Sequence, residues 1–227
     1  EFKTRNDNSA TGTYRFFIDG DDAVDVQIVD AGGSTVARVG YYGAHGFANS
    51  NPSGVCADPL AATSGCYVTA ALTKDTWYKF KIRHEERGGG EGYRLKWYRP
   101  DYARWETIDH GVDGVSARGL LWSGVAGTGV DGSGFYRSAY KLNTHFSSGP
   151  TSGDFNASRH PINRTGMDTL ESTYTVASLS VPIKIGSGAV TTIDCNSSSS
   201  SCNPYSGQQD KYLTVITGDL TVSAEDD

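Results

Sequence analysis

The chain has 227 residues, enough for one large β domain or two modest ones, and it is rich in Gly (28) and Tyr (13) but has a single Met. A formal net charge of −6 and dispersed Lys and Arg residues disfavour nucleic acid and anionic membranes as partners, and no stretch is apolar and long enough for a membrane span. Because few runs have helical periodicity, the composition predicts an all-β protein of short strands and polar loops.

The first two predicted strands meet at an acidic connection. Apolar and polar residues alternate over 14–18 and again over 24–28, which is typical of half-buried strands. Four carboxylates crowd the connection: Asp19, Asp21, Asp22 and Asp25. Since like charges at this spacing repel one another, either water solvates them or a hard cation such as Ca²⁺ gathers their oxygens.

Two hairpins are predicted after this connection. A turn at 30–34 joins the strand at 24–29 to a returning strand at 35–39. Strand patterns at 77–84 and 93–97, with the Gly-rich segment 85–92 between them, predict the second hairpin. Lys and Arg alternate with apolar residues in its first strand, so the polar face is either solvated or paired with the acidic connection.

The second half of the chain has weaker patterns. Residues 109–134 are Gly-rich and indicate a crossover or a domain boundary. Strands are predicted at 135–146, 173–185 and 211–224, and loops at 147–169 and 195–209. We therefore predict a core over residues 1–110 and a β-rich continuation over 111–227, which either completes the same sandwich or forms a second small domain.

The four cysteines form two closely spaced pairs in polar loops, Cys56 with Cys66 and Cys195 with Cys202. Two local disulfides are the simplest interpretation, and they predict a secreted or cell-surface protein. A zinc site built from all four thiolates is the alternative. It is disfavoured because neither pair has the spacing of about two to four intervening residues that such sites prefer.

Four ordered segments, at 14–26, 36–46, 78–86 and 93–97, resemble the PA14 family; the first contains the run Ile-Asp-Gly-Asp-Asp-Ala-Val. The resemblance covers about residues 10–105 and is closest to PA14-like modules of secreted, pilus-associated or adhesin-type bacterial proteins. It implies an antiparallel β-sandwich that binds carbohydrate in some members and is a structural spacer in others. In the lectin-like members, two consecutive Asp residues joined by a cis peptide chelate Ca²⁺, which holds sugar hydroxyls. The matching residues here are Asp21 and Asp22.

Two Asp side chains do not complete a calcium shell, because Ca²⁺ binds six to eight oxygens. By position, the further candidate ligands are Asp19, Asn49, Asn51 and the backbone of 41–46. Aromatic and imidazole rings that could contact a sugar are Tyr41, Tyr42, His45 and Trp105. For each of these rings, packing in the core or in a loop is the alternative role.

No enzyme is expected, because the chain lacks the Gly-x-Ser-x-Gly, His-Glu-x-x-His and phosphate-binding loop motifs. A carboxylate pair for glycoside hydrolysis, drawn from Glu85, Glu86 and Asp109, is the least favoured interpretation. The first predicted function is an extracellular, Ca²⁺-dependent adhesion or carbohydrate-binding module whose partner is a glycan or a cell-surface ligand. The alternative is a structural subunit of an extracellular filament or pilus-like assembly, in which terminal strands such as 213–222 pair with neighbouring copies.

Overall fold

Strands make up most of the computed structural model, which describes residues 2–4, 11–48, 50–73, 76–99, 104–108, 122–123, 135–151, 153–174, 184–190, 194–196 and 210–224. The strands are β1 (Phe2–Thr4), β2 (Thr11–Asp21), β3 (Val24–Val29), β4 (Thr35–Tyr41), β5 (Val68–Thr73), β6 (Thr76–Glu86), β7 (Gly92–Arg99), β8 (Arg104–Thr107), β9 (Trp122–Ser123), β10 (Phe135–Lys141), β11 (Lys184–Val190), β12 (Asp194–Asn196) and β13 (Tyr212–Ala224). The helices are α1 (Asn143–Ser148) and α2 (Arg164–Tyr174). Within these residues, no helix is long and apolar enough to cross a membrane.

The strands form two sheets that pack as a β-sandwich. The larger sheet has the order β11-β10-β13-β6-β3-β4, and β1 and β9 also pair with β13. The smaller sheet has the order β12-β7-β2-β5, and β8 also pairs with β7. These pairings are antiparallel, with the exception of the short parallel pair of β1 and β13. The all-β, antiparallel sandwich predicted from the sequence is confirmed.

The main core lies between the inner faces of the two sheets. Alternating side chains of each strand point inward because the side-chain period of a strand is two. The core includes Tyr14, Phe16 and Ile18 of β2, Tyr78, Phe80 and Ile82 of β6, and Tyr93, Leu95 and Trp97 of β7. Burial of each large apolar side chain contributes about 1.5–3 kcal/mol, so this interface is the principal source of stability.

β6 and β7 do not form the hairpin that the sequence predicts. β6 lies in the larger sheet between β13 and β3, whereas β7 lies in the smaller sheet between β12 and β2. The segment 87–91 therefore crosses from one sheet to the other. The prediction is wrong because alternation identifies the buried face of a strand and leaves its partner strand open. By contrast, the hairpin of β3 and β4 is confirmed, with the Asp30 carboxylate accepting a hydrogen bond from the Ser34 N–H.

Strands from the second half of the chain lie in both sheets. β13 pairs with β6 from Tyr212–Glu86 to Val222–Thr76 and pairs on its other side with β10. β12 pairs with β7 in the smaller sheet. The described residues beyond 110 thus contribute strands to the same sandwich as the residues before it.

Helix α2 lies where the sequence predicts a loop. Its apolar residues Met167, Leu170 and Tyr174 pack with Leu213 and other residues in a second, smaller core. The Asn163 side chain caps the helix by accepting a hydrogen bond from the Gly166 N–H at 2.9 Å. The loop prediction for 147–169 is wrong here because three apolar residues in a polar segment are a weak periodic signal. α1 likewise replaces the end of the strand predicted at 135–146.

A buried ion network joins α2 to the larger sheet. Arg83 on β6, whose side chain is 0% exposed, donates to both carboxylate oxygens of Asp25 at 2.9 and 2.6 Å. Its other terminal nitrogen donates to Asp168 at 2.6 Å and to Glu171 at 2.9 Å. Arg83, on the polar face of β6, is therefore paired with Asp25 of the acidic connection and is not solvated.

The loop between β4 and β5 is closed by the predicted Cys56–Cys66 disulfide. It packs on the outer face of the smaller sheet, where Gly65 contacts the ring of Phe17. This disulfide rules out a zinc site built from all four thiolates. Cys202, and with it the predicted Cys195–Cys202 pair, lies outside the described residues.

Candidate metal centre

Several connections meet at one end of the sandwich. Val24, at the start of β3, pairs with Tyr41 at the end of β4 and with His84 near the end of β6. Two of the connections at this end that cross between the sheets lead from β2 to β3 and from β6 to β7. The acidic residues of the first crossing, Asp21 and Asp22, therefore lie beside those that end β6, Glu85 and Glu86.

The first cluster consists of Asp21, Asp22 and Glu86. One carboxylate oxygen of each residue lies within 4.8 Å of the other two. Asp21 is half-buried, whereas Asp22 and Glu86 are buried, and the peptide bond between the two Asp residues is cis. Glu86 is not among the ligands predicted from the sequence, because the strand patterns place it in the turn of a predicted hairpin.

The carboxylate of Glu86 is the least compensated group of this cluster. Its side chain is 0% exposed, and neither oxygen accepts a hydrogen bond of normal geometry among the described residues, the nearest donor being the Gly88 N–H. Burial raises the pKa of Glu86 to about 10, with further contributions from Asp22, Asp21 and Glu85, although the Gly88 N–H lowers it. An unpaired buried carboxylate is costly in its charged form, so Glu86 needs either a proton or a nearby cation.

The two Asp residues also resist ionisation. Burial, and next the charge of Asp22, raises the pKa of Asp21 to about 6. Burial, and next the charge of Glu85, raises the pKa of Asp22 to about 6. A hydrogen bond from the backbone N–H of Phe47 lowers the pKa of Asp21. A hydrogen bond from the backbone N–H of His45 likewise lowers the pKa of Asp22. The loop after β4 therefore supplies N–H donors that stabilise the charged carboxylates.

A second cluster, of Asp22, Glu85 and His160, shares one residue with the first. His160 Nδ1 lies 3.1 Å from Glu85 Oε2 and 3.8 Å from Asp22 Oδ2, and all three side chains are buried. Burial lowers the pKa of His160, but the hydrogen bond and charge of Glu85 raise it more, so the net shift is upward. No sequence signal pointed to His160, which lies in the segment predicted as a loop.

Among the described residues, the other predicted ligand side chains, Asp19 and Asn51, do not join either cluster. Asp19 is buried on β2, where its charge contributes to the raised pKa of Asp21. The Asn51 side chain accepts a hydrogen bond from Lys96 Nζ at 3.3 Å. Asn49 lies outside the described residues. So does Asp109, a candidate for the carboxylate pair of a glycoside hydrolase.

The predicted ring contacts are placed in three different environments. The half-buried rings of Tyr41 and His45 stack on each other, with centroids 3.4 Å apart, in the loop beside Asp22. Tyr42 is a core residue whose hydroxyl donates to Asp25 at 3.1 Å. Trp105 lies among other aromatic rings of the smaller sheet. Of the four predicted rings, His45 therefore belongs to the loop whose backbone contacts Asp22, and Tyr41, at the end of β4, stacks on it.

Phe47 and Arg94 also lie close to the first cluster. Gly92, the strand partner of Asp21, lies under the Phe47 ring, and a Cβ at Gly92 would meet that ring at 2.9 Å. The Arg94 guanidinium lies over the same ring, 5.5 Å from its centroid. Because Phe47 is half-buried, part of its surface is accessible next to Asp21.

Comparison of the chain with models of known protein families, with curated protein sequences and with solved structures finds no match. The PA14-like resemblance therefore remains a prediction from the four sequence segments. Inferences about function rest on the sandwich and on the two clusters at its end.

Proposed function

We propose that this protein is an extracellular, Ca²⁺-dependent adhesion or carbohydrate-binding module, in which Asp21, Asp22 and Glu86 hold the ion. The observation that carries the proposal is the buried Glu86 carboxylate, which lies against two other carboxylates and accepts no hydrogen bond of normal geometry in the described part of the chain. A divalent cation between the three groups would satisfy these oxygens and remove the repulsion among them.

The ligand type and spacing favour calcium. Carboxylate oxygens are ligands of hard cations, and two oxygens on opposite sides of a Ca²⁺ ion are at most about 5 Å apart. The mutual distances within 4.8 Å in this cluster are compatible with that limit. Three carboxylates supply three to six of the six to eight oxygens that calcium requires. The other positions are left for water or for hydroxyl groups of a sugar, which would approach past the half-buried Asp21.

Two further observations support this function. The cis peptide between Asp21 and Asp22 agrees with the arrangement that the resemblance to lectin-like PA14 modules implies. The Cys56–Cys66 disulfide is consistent with an extracellular location, because such bonds persist in oxidising compartments. A sugar bound at the ion would lie near the Phe47 ring, whose accessible face could stack on it.

Calcium titration by calorimetry into EDTA-treated, non-reduced protein tests the proposal. We expect one ion per chain and a raised melting temperature, because the ion binds only the folded state. Asp22→Asn and Glu86→Gln should each weaken binding about tenfold or more. Asn51→Ala is the matched control, since this residue is bonded to Lys96 and should not affect calcium. Absence of calcium binding by the unaltered protein would overturn the proposal.

A glycan array then tests the carbohydrate partner. We expect retention of a glycan in the presence of Ca²⁺, loss of retention with EDTA, and loss in the Asp22→Asn variant. Phe47→Ala should weaken glycan retention and leave calcium affinity unchanged, because the substitution keeps the backbone N–H that hydrogen-bonds Asp21. Glycan binding that is insensitive to EDTA would contradict a role for the ion.

The alternative function, a filament or pilus-like subunit, is not favoured by a specific observation. Its motivation is the strand-like segment 213–222, which could pair with a neighbouring copy. This segment lies inside the larger sheet and pairs with β6 along one edge and with β10 and β9 along the other. Assembly with neighbouring copies therefore stays a prediction that size analysis at high protein concentration can test.

A further inference from the structure

We propose that Asp22, Glu85 and His160 form a second cation site, suited to a transition dication such as Zn²⁺. This site goes beyond the proposed function, because Glu85 and His160 are not ligands of the calcium cluster. The two sites share only Asp22. A bound ion would hold the segment before α2 against the end of β6.

The ligand atoms have the spacing of a tetrahedral site. A zinc ion with bonds of 2.0–2.1 Å holds neighbouring ligands about 3.3–3.4 Å apart. His160 Nδ1 is 3.1 Å from Glu85 Oε2 and 3.8 Å from Asp22 Oδ2, and the three ligand atoms all lie within 4.8 Å of one another. Small rotations of the two carboxylates are sufficient to place an ion between the three groups.

The second oxygen of Glu85 is independent support for a ligand. The Glu85 side chain is 0% exposed, and its Oε1 accepts no hydrogen bond of normal geometry in the part of the chain that is described, although the Ala23 backbone lowers the pKa of this carboxylate. A simple ion pair with His160 uses Oε2 and leaves Oε1 unsatisfied, which is costly in a buried position. An ion between the residues can use either oxygen of this carboxylate, and binding would displace the proton of His160.

The chemistry of the ligands distinguishes this site from the calcium site. An imidazole nitrogen with two carboxylates is a ligand set for Zn²⁺ and similar dications, whereas Ca²⁺ prefers oxygen alone. Three protein ligands leave one tetrahedral position for water.

His160 is held in place by its loop. The Asn156 side chain accepts a hydrogen bond from the His160 N–H at 3.0 Å. The preceding residue, Arg159, has a φ of 70°, and its guanidinium donates to the carbonyl oxygens of Gly149 at 3.0 Å and Phe146 at 3.2 Å. These contacts fix the backbone that carries the imidazole before an ion binds, so less ordering is required on binding.

The shared residue makes the two sites separable by mutation. Because Asp22 has two carboxylate oxygens, it can contact one ion through each of them. Asp22→Asn should therefore weaken both sites. Glu86→Gln should weaken only the calcium site, and His160→Gln should weaken only the second site.

The experiment is a titration of Zn²⁺ into EDTA-treated and dialysed full chain in the presence of excess Ca²⁺, with Co²⁺ absorption as a spectroscopic readout. We expect one Zn²⁺ per chain, a Co²⁺ spectrum of low coordination number, and affinity about tenfold or more weaker in His160→Gln and Glu85→Gln. His45→Ala is the matched control, because it removes a nearby imidazole that is not a member of the cluster. Melting curves without metal identify any variant that fails to fold.

Two results would overturn the second site: no Zn²⁺ binding by the unaltered chain, or unchanged Zn²⁺ affinity in the folded His160→Gln and Glu85→Gln variants. Its failure is distinguishable from failure of the proposed function. Zn²⁺ binding that persists in Glu86→Gln supports the second site, whatever the calcium titration yields. Calcium binding without Zn²⁺ binding supports only the proposed function.

Discussion

Glu86 is 64 positions beyond Asp22 in the sequence, yet the two carboxylates lie together at one end of the sandwich. Their proximity opposes folding in two ways, through loss of hydration and through mutual repulsion. Both effects are expressed in the raised pKa values of about 6 for Asp21 and Asp22 and about 10 for Glu86. Protons or a cation must relieve them, so the stability of this protein should depend on both.

The metal-free protein should show a pH dependence that comes from Asp21 and Asp22. Their pKa is 3.8 in the reference state and about 6 in the folded state, so the folded chain binds more protons between these values. Their contribution to the free energy of unfolding therefore falls as the pH rises from about 4 to about 6. Urea unfolding in EDTA, repeated at pH values from about 4 to about 6, measures this fall in the free energy of unfolding.

The control for this prediction is the double variant Asp21→Asn and Asp22→Asn. We expect its free energy of unfolding to decline less with rising pH than that of the unaltered protein, and excess Ca²⁺ to reverse the decline of the unaltered protein. Parallel pH profiles of the two proteins would contradict the assignment.

Helix α2 illustrates how one element depends on charges from elsewhere in the chain. Its apolar side packs on the larger sheet, and its acidic residues Asp168 and Glu171 reach Arg83 on β6. Arg83 also neutralises Asp25, which is 1% exposed. Removal of this guanidinium would leave a buried carboxylate without its principal partner and would remove two ion pairs between the helix and the strand.

We expect Arg83→Ala to reduce the free energy of unfolding by about 3–5 kcal/mol, because breaking a buried pair strands the remaining charge. Lys81→Ala is the matched control on the same face of β6. Its ammonium contacts Glu171 at 2.7 Å but is 34% exposed, so the expected loss is at most about 1 kcal/mol. Urea unfolding measures the loss in the free energy of unfolding of each variant. Similar losses in the two variants would show that the Arg83 network is not a buried ion pair in solution.

The sandwich as a whole is built from strands of both halves of the chain. β13, near the C-terminus, lies between β6 and β10 in the larger sheet, and its residues Leu213 and Ile216 contribute to the two cores. Described strands from residues 1–110 and from residues 111–227 pair within the same sheets. Cooperative folding should therefore require both halves.

A fragment of residues 1–110 should not unfold cooperatively. Without β13, one edge of β6 loses its partner over eleven residue pairs, and part of each core is exposed to water. Circular dichroism during a urea titration measures the cooperativity of unfolding of the fragment, with the full chain as the control. A sigmoidal transition of the fragment would show that the first half is an autonomous domain.

The features that the sequence by itself determined are local ones. Alternation over two residues identified the buried faces of β2, β3, β6 and β7, the turn residues at 30–34 marked the β3–β4 hairpin, and short spacing paired Cys56 with Cys66. The acidic pair Asp21–Asp22 was visible because its members are adjacent. Each of these signals depends on residues within about ten positions of one another.

Only the tertiary structure decided which strands pair, where α2 packs, and that Glu86 and His160 join the acidic pair. A strand pattern is the same whether the next strand lies beside it or in the opposite sheet, so the crossing from β6 to β7 was not predictable from alternation. The charge state and ligand set of the clusters follow from burial and from contacts between distant segments. Those quantities exist only after the two sheets have packed.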